Sequence, residues 1–262
     1  MRIYAISDLH ADFRENRRLL ERIPTREHQG DALIVAGDVA DSLGVLRDAL
    51  DLLRERFAQV FFVPGNHELW VRADPRDSLE KFQAVLDTCR TAEVHTAPAR
   101  VGGAWVVPLF SWYHASFDVR GEGDESTLEA WSDRYFCRWP PGVERVDRHF
   151  LAMNEPHLRR YDAPVVSFSH FVPRTELLPA VTWLRFKGLP LVAGSVEIDA
   201  QVRRLGAAVH VYGHTHISGD RVLDGVRYVQ NHLSQSGSGE GGLLKRVWDD
   251  GAAGAAPGPL FC

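Results

Sequence analysis

Short apolar runs alternate with amphipathic stretches over the first part of the chain. Arg2–Ser7, Ala32–Ala36 and Gln59–Val63 are largely continuous in apolar character, which suits strands of a sheet covered on both faces. Between them, Asn16–Arg22 reads as a helix closed by Pro24 and Gly30. Leu43, Leu46, Leu50 and Leu53 recur at helical spacing behind Ser42, a candidate N-cap. Asp77 and Glu80 have the spacing of a capping box and open a helix that runs to about Arg90. Strands and helices in this order predict a parallel sheet with right-handed crossovers.

From Glu93 the pattern changes. Arg100–Trp105 reads as a hairpin about Gly102-Gly103, leading into a strand over Trp105–Phe110, so the pairing should become mixed. Val143–Tyr161 is expected to be helical with a break at Pro156. Pro164–Ser169 and Ala207–Tyr212 read as strands, with a short helix over Ile198–Leu205. Arg221–Leu223 and Val226–Gln230 should pair across Asp224-Gly225. Phe171–Gly194, with its prolines, Trp183 and Phe186, reads as an irregular segment fit to be a lid. Trp105–Trp139 is dense in aromatics and broken by a loop at Gly121–Glu125. Packing is the first reading of these rings, and Trp112, Tyr113 and His114 are candidates for a pocket wall. Residues 1–235 read as one domain, and the Gly/Ala-rich residues 236–262 as a partly disordered tail.

Composition adds bounds. The chain has 262 residues and a net charge of -5 without a long basic block, which argues against a nucleic-acid partner. Cys89, Cys137 and Cys262 are odd in number and form no spacing motif, which favours a reducing compartment. The amino-terminal apolar run is short for a signal peptide, and no stretch approaches a membrane span. A cytoplasmic protein is the expectation.

The chemistry lies at strand ends. Five of them carry Asp8/His10, Asp38/Asp41, Asn66/His67, His170 and His214/His216. In α/β sheets, ligands bind at the carboxyl ends of strands. An Asp at the mouth of a buried strand, as in Val35–Asp41, is costly unless something positive neutralises it. Each motif alone has a plainer reading: an incidental Asp-x-His, a Pro-Gly-Asn turn, or a carboxylate at a helix N-terminus for Asp41. Converged, they would make a mixed nitrogen and oxygen site large enough for two metals. His210 alternates with Val209 and Val211 and reads as a satisfied interior group.

The set Asp8-x-His10, Gly37-Asp38-x-x-Asp41, Gly65-Asn66-His67-Glu68, His170 and Gly213-His214-x-His216 resembles the calcineurin-like metallophosphoesterase superfamily. The resemblance implies an α/β fold: a four-layer α/β/β/α sandwich of two mixed sheets flanked by helices. It implies that Asp8, His10, Asp38 and His216 hold one metal, and that Asp38, Asn66, His170 and His214 hold the other. It makes His67 the general acid to a metal-bridging hydroxide, with Asp41 holding His67 cationic. Imidazole and oxygen donors without cysteine suit two ions of Mn or Fe, with Zn next.

The expected activity is a two-metal phosphoesterase, first of all a phosphomonoesterase acting on a small- or medium-sized organic phosphate with an apolar body. A phosphodiesterase acting on a cyclic nucleotide or nucleic acid is the second reading, and a non-catalytic scaffold on the same fold the third. One position departs from the pattern. In the phosphoprotein phosphatases of the superfamily an arginine follows the Asp at 41; here it is Ser42. Arg14 and Arg174, each close behind a site motif, are the candidates to grip phosphate instead.

Overall fold

A computed structural model describes residues 1–72, 74–233 and 243–251. In chain order, the strands are β1 (Arg2–Ile6), β2 (Ala32–Val35), β3 (Gln59–Phe62), β4 (Ala99–Val101), β5 (Ala104–Pro108), β6 (Val165–Phe168), β7 (Val209–Tyr212), β8 (Gly219–Leu223), β9 (Val226–Gln230) and β10 (Lys245–Asp249). The helices are α1 (Arg14–Glu21), α2 (Leu43–Arg54), α3 (Ser78–Thr91), α4 (Asp133–Phe136), α5 (Val146–Met153), α6 (Leu189–Val192) and α7 (Val196–Leu205). One sheet has the order β10-β1-β2-β3 and the other β4-β5-β6-β7-β9-β8. The first is parallel except for β10 at one edge, and the second has a parallel centre with antiparallel strands at both edges.

Side-chain alternation sorts the residues into layers. Ile3, Ala5, Ile34 and Phe61 face Val106, Val166, Phe168 and Val211 between the sheets. Leu33, Val35, Val60 and Phe62 point the other way, onto Leu46, Leu50 and Leu53 of α2 and Val85 of α3. The far face of the second sheet packs Val107, Val165 and Tyr228 with Phe150 of α5 and Ile198, Val202 and Leu205 of α7. The result is the α/β/β/α sandwich expected, with both sheets mixed. Most aromatics of the Trp105–Trp139 span join that last layer, and Trp112 is buried against Phe150 and Phe171.

The hairpins at Gly102-Gly103 and Asp224-Gly225 form as read, and Asp77 and Glu80 close a capping box at α3. Ser42 occupies the N-cap position of α2, but its side chain makes no capping bond. The long helix expected over Val143–Tyr161 is much shorter. It is α5, followed by one 3-10 turn at Glu155–His157. Asn154 ends it by bonding both the N–H and the carbonyl of Phe110 and the Gln201 amide, and Pro156 has no N–H to continue the helix. The tail reading of 236–262 missed β10, which pairs antiparallel with β1. The rest of that segment lies outside the described residues, apart from those next to β10. Among the described residues, no helix is long and apolar enough to cross a membrane.

Candidate metal centre

The loops that leave β1, β2, β3, β6 and β7 meet at one edge of the two sheets. Their backbones are unusual. Asp8, His10, Asp38, His214 and His216 all have positive φ, of 55°, 41°, 54°, 74° and 55°. Left-handed backbone outside glycine costs about 1 kcal/mol or more per residue, and such strain collects at functional sites. Bonds between the loops hold it in place. Asp8 N–H donates to the Gly37 carbonyl at 3.0 Å and His10 N–H to the Asp38 carbonyl at 2.9 Å. His214 N–H donates to Asp8 Oδ1 at 2.9 Å, and His67 N–H to Asp38 Oδ1 at 3.0 Å.

Two glycines permit this crowding. A Cβ on Gly65 would lie 2.2 Å from Asp38 Oδ1 and 2.7 Å from His170 Nε2, within the cradle itself. A Cβ on Gly37, at φ +84°, would lie 2.3 Å from His170 Nδ1.

The seven candidate ligands come together. Asp8, His10 and His216 form one group of mutually close donor atoms, and Asp38, His170 and His214 form another. Asp38 also groups with His10 and His67, so its carboxylate stands between the two clusters, as a bridging ligand must. Asn66 Oδ1 is 3.3 Å from His170 Nε2 and 3.1 Å from His214 Nδ1. The imidazoles are aimed by their outer nitrogens. His170 Nδ1 donates to the Ala36 carbonyl at 2.8 Å, which turns Nε2 inward. His214 Nε2 donates to the Val192 carbonyl at 3.0 Å, which turns Nδ1 inward. Inward lone pairs on imidazole, carboxylate and amide oxygen are the donor set of a divalent transition-metal pair, so these residues fit such ions.

Charge agrees with that use. Burial alone would lower the His170 pKa, but Asp38 outweighs it and lifts His170 to about 9. Burial likewise opposes ionisation of Asp8 and Asp38, yet the neighbouring histidines leave both carboxylates below their usual range. Burial, with His170 nearby, pushes His214 down to about 3, so its lone pair is free. A metal bound by these residues would take the place of protons on His170 and His216.

His67 lies beside the cluster, with its ring 4.6 Å from that of His10. Geometry alone would let it join His10 and Asp38 as a ligand. Its Nδ1, however, is 2.8 Å from Asp41 Oδ1. Burial disfavours its charged form, but Asp38 and Asp41 overcome this and raise it to about 9. A cationic imidazole has no lone pair for a metal and does have a proton to give. Asp41 has a second partner: Arg72 Nη2 is 2.8 Å from Asp41 Oδ2, and its guanidinium lies over Trp70 and Phe136.

The substrate candidates fare differently. Tyr113 and His114 line a cleft of about 300 Å³ together with Trp112, Asp133, Arg134 and Trp139. The Tyr113 ring stacks towards His214 at 6.4 Å. Trp112 shares that wall but is chiefly a core residue. Arg174 is committed to Asp224 at 2.6 Å and Glu176 at 2.5 Å, so it is not free to grip phosphate. Arg14 is exposed at the start of α1 and, among the described residues, makes no ion pair. His210 is buried between Ser167 Oγ at 2.9 Å and Ser169 Oγ at 3.1 Å, and burial pushes it down to about 3, as an interior neutral group.

Two acids of the site had no role in the sequence reading. Asp133 lies far from every motif. Glu68 is fully buried between the loops after β2 and β3. It accepts from the N–H groups of Asp38 (3.0 Å), Val39 (2.6 Å), Ala40 (3.0 Å) and Gly65 (2.7 Å). Burial raises its pKa, yet all four partners are donors, so the carboxylate is the form that satisfies them. Glu68→Gln turns an N–H₂ towards buried N–H groups. The expected cost is about 3 kcal/mol of unfolding free energy. A lowered urea midpoint at unchanged m-value checks it, and an unchanged midpoint would contradict it.

The chain is similar to known proteins. The model of the calcineurin-like phosphoesterase family matches residues 1–218. The chain is 32% identical over 248 residues to the acyl-carrier-protein phosphodiesterase PptH of Mycobacterium tuberculosis, covering 86% of this chain and 75% of that one. It is also similar to the crystal structure of the phosphopantetheinyl hydrolase PptH of that organism, with a TM-score of 0.79, 29% identity and 98% of each chain covered. A metal-dependent phosphoric ester hydrolase is what the motifs, the fold and these relatives share, and the chain belongs to the calcineurin-like phosphoesterases.

Proposed function

We propose that the chain is a two-metal phosphodiesterase that releases a phosphopantetheine arm from an acyl carrier protein. The similarity to PptH over most of the chain supports the substrate class. The observation that carries the diester reading is the placement of cations. A phosphate monoester dianion offers three non-bridging oxygens and an extra charge, which a third cation would have to meet. Here position 42 is serine, Arg174 is spent on Asp224 and Glu176, and Arg72 is spent on Asp41; of the arginines near the site motifs, only Arg14, exposed at the start of α1, is in no ion pair among the described residues. A diester monoanion offers two such oxygens, one for each ligand group. The monoester reading thus falls behind the diester one. The His216 side chain is 49% exposed, so the cluster is open to an ester carried on another protein.

Two divalent ions bound at the ligand groups would supply activation of water and charge to face the phosphoryl oxygens. Mn or Fe suits the donor set best. The chain's own residues do the rest. Asp38 holds the two ligand groups in one register. His67, charged under the influence of Asp38 and Asp41, donates its proton to the departing ester oxygen. Asp41, fixed by Arg72, keeps the His67 ring turned towards the leaving group.

With Mn²⁺ added, bis-p-nitrophenyl phosphate should be cleaved in preference to p-nitrophenyl phosphate. Intact-mass measurement should show a holo acyl carrier protein reverting to its apo mass. A clear preference for the monoester, with holo carrier protein left intact, would overturn the proposal.

A further inference from the structure

Asn66 can present its amide in two ways, and only one turns Oδ1 towards His170 and His214. What decides between them is Asp133, the first residue of α4. Its side chain is buried, and it accepts from three donors: two that flank the His67–Leu69 turn and one just before α4. Oδ1 takes Asn66 Nδ2–H at 2.9 Å and Trp70 Nε1–H at 2.6 Å. Oδ2 takes Trp131 Nε1–H at 3.0 Å, sharing it with Tyr113 Oη, which also accepts at 3.0 Å. Because a carboxylate only accepts, Asn66 must offer it the NH₂ and keep the carbonyl for the centre.

The other two donors reach the rest of the site. The Trp70 ring lies 3.7 Å from that of His67, centroid to centroid. The Trp131 ring meets His214 edge-on at 5.7 Å and stacks at 9° on Phe186, which belongs to the irregular Phe171–Gly194 segment. One carboxylate therefore ties a candidate ligand, the platform of the candidate acid and the wall beside His214.

We propose that Asp133 is a positioning residue of the metal centre, fixing the Asn66 amide through one oxygen and the Trp131–Phe186 wall through the other. The inference rests on the two-metal reading of the site but not on the choice of substrate. Asparagine at this position is the informative change. It has one accepting arm and one donating arm, and three N–H donors face it. The orientation that keeps Asn66 and Trp70 satisfied opposes its NH₂ to the indole N–H of Trp131, which then keeps only Tyr113 Oη as acceptor. The reverse orientation opposes it to Asn66 and Trp70.

The test uses Mn²⁺ titration of the full chain, followed by calorimetry, beside the kinetics of bis-p-nitrophenyl phosphate cleavage. D133A should bind one of two Mn²⁺ equivalents about 10- to 100-fold more weakly, the other being unchanged. Excess Mn²⁺ should restore part of its kcat. D133N, nearly isosteric and so protected against misfolding, should lose less affinity than D133A but raise KM. Adding W131F to D133N removes the opposing N–H and should recover KM, whereas a merely structural role makes the two losses add. Two Mn²⁺ equivalents bound at wild-type affinity by both D133A and D133N, or additive losses in the D133N/W131F protein, would overturn the assignment. If the wild-type chain binds two Mn²⁺ but cleaves no diester, the functional proposal fails while this one stands on the titration.

Discussion

His67→Ala should bind two Mn²⁺ equivalents like the wild type and yet lose about 100- to 10,000-fold in kcat on an ester whose leaving group is an alkyl alcohol. On bis-p-nitrophenyl phosphate, whose leaving group departs without a proton, it should lose far less. The division follows from where His67 stands. Its main-chain N–H bonds Asp38, but its ring is turned to Asp41 and carries a proton under the influence of both carboxylates. The same contacts set a pH dependence. A general acid works while protonated, so the rate on alkyl esters falls as pH rises through the pKa of His67. Asp41→Asn removes a charge that raises that pKa, so the falling limb should move to lower pH. Equal losses on both classes of ester, or a limb unmoved in Asp41→Asn, would remove His67 from the acid role.

Much of this arrangement was legible in the sequence, for a physical reason. Parallel strands put their carboxyl ends at one edge, so residues just after apolar runs converge even when they are far apart in the chain. That is why Asp8 and His216 could be placed at one edge before any geometry was known, while the family resemblance put them in one ligand group. The layers were legible for a similar reason: Leu46, Leu50 and Leu53 repeat with the helical period, and Ile34 alternates with Leu33 and Val35. Features that depend on a single distant partner were not. Asp133 stands in an aromatic stretch where nothing local sets it apart, and its role comes from Asn66, some sixty residues earlier. Glu68 was visible within a motif, but an acid there looks like any surface carboxylate until four main-chain N–H groups surround it. Arg174 misled in the opposite way. It follows His170 closely, yet Glu176 and the hairpin carboxylate Asp224 hold it. Strand β10 was hidden because Lys-Arg-Val-Trp-Asp carries three charges and lies between two glycine-rich stretches.

Asp38→Asn should weaken Mn²⁺ binding at both positions, by more than the roughly 100-fold that loss of an outer partner costs. The change is a clean one. Asparagine is almost isosteric and, like aspartate, tolerates the left-handed backbone that position 38 adopts at φ 54°. Its amide oxygen can still accept the His67 N–H. With the Asp38 charge gone, His170 loses what raised its pKa, so the new NH₂ can face a bare Nε2 while Nδ1 keeps its proton against the Ala36 carbonyl. Fold and loop bonding are therefore kept, while the charge shared between the two ligand groups is lost. Thermal unfolding gives a readout independent of turnover. A ligand that binds only the folded chain adds about 2.7 kcal/mol at one hundred times its Kd, so Mn²⁺ should raise the Tm of the wild type. Much less of that rise should remain in Asp38→Asn, whose Tm without Mn²⁺ should stay near that of the wild type. His216→Ala provides the contrast. It trims only the Asp8–His10 group, so it should weaken one equivalent and leave the other. A protein that retained both equivalents after Asp38→Asn, or that lost only one, would show that Asp38 does not join the two groups.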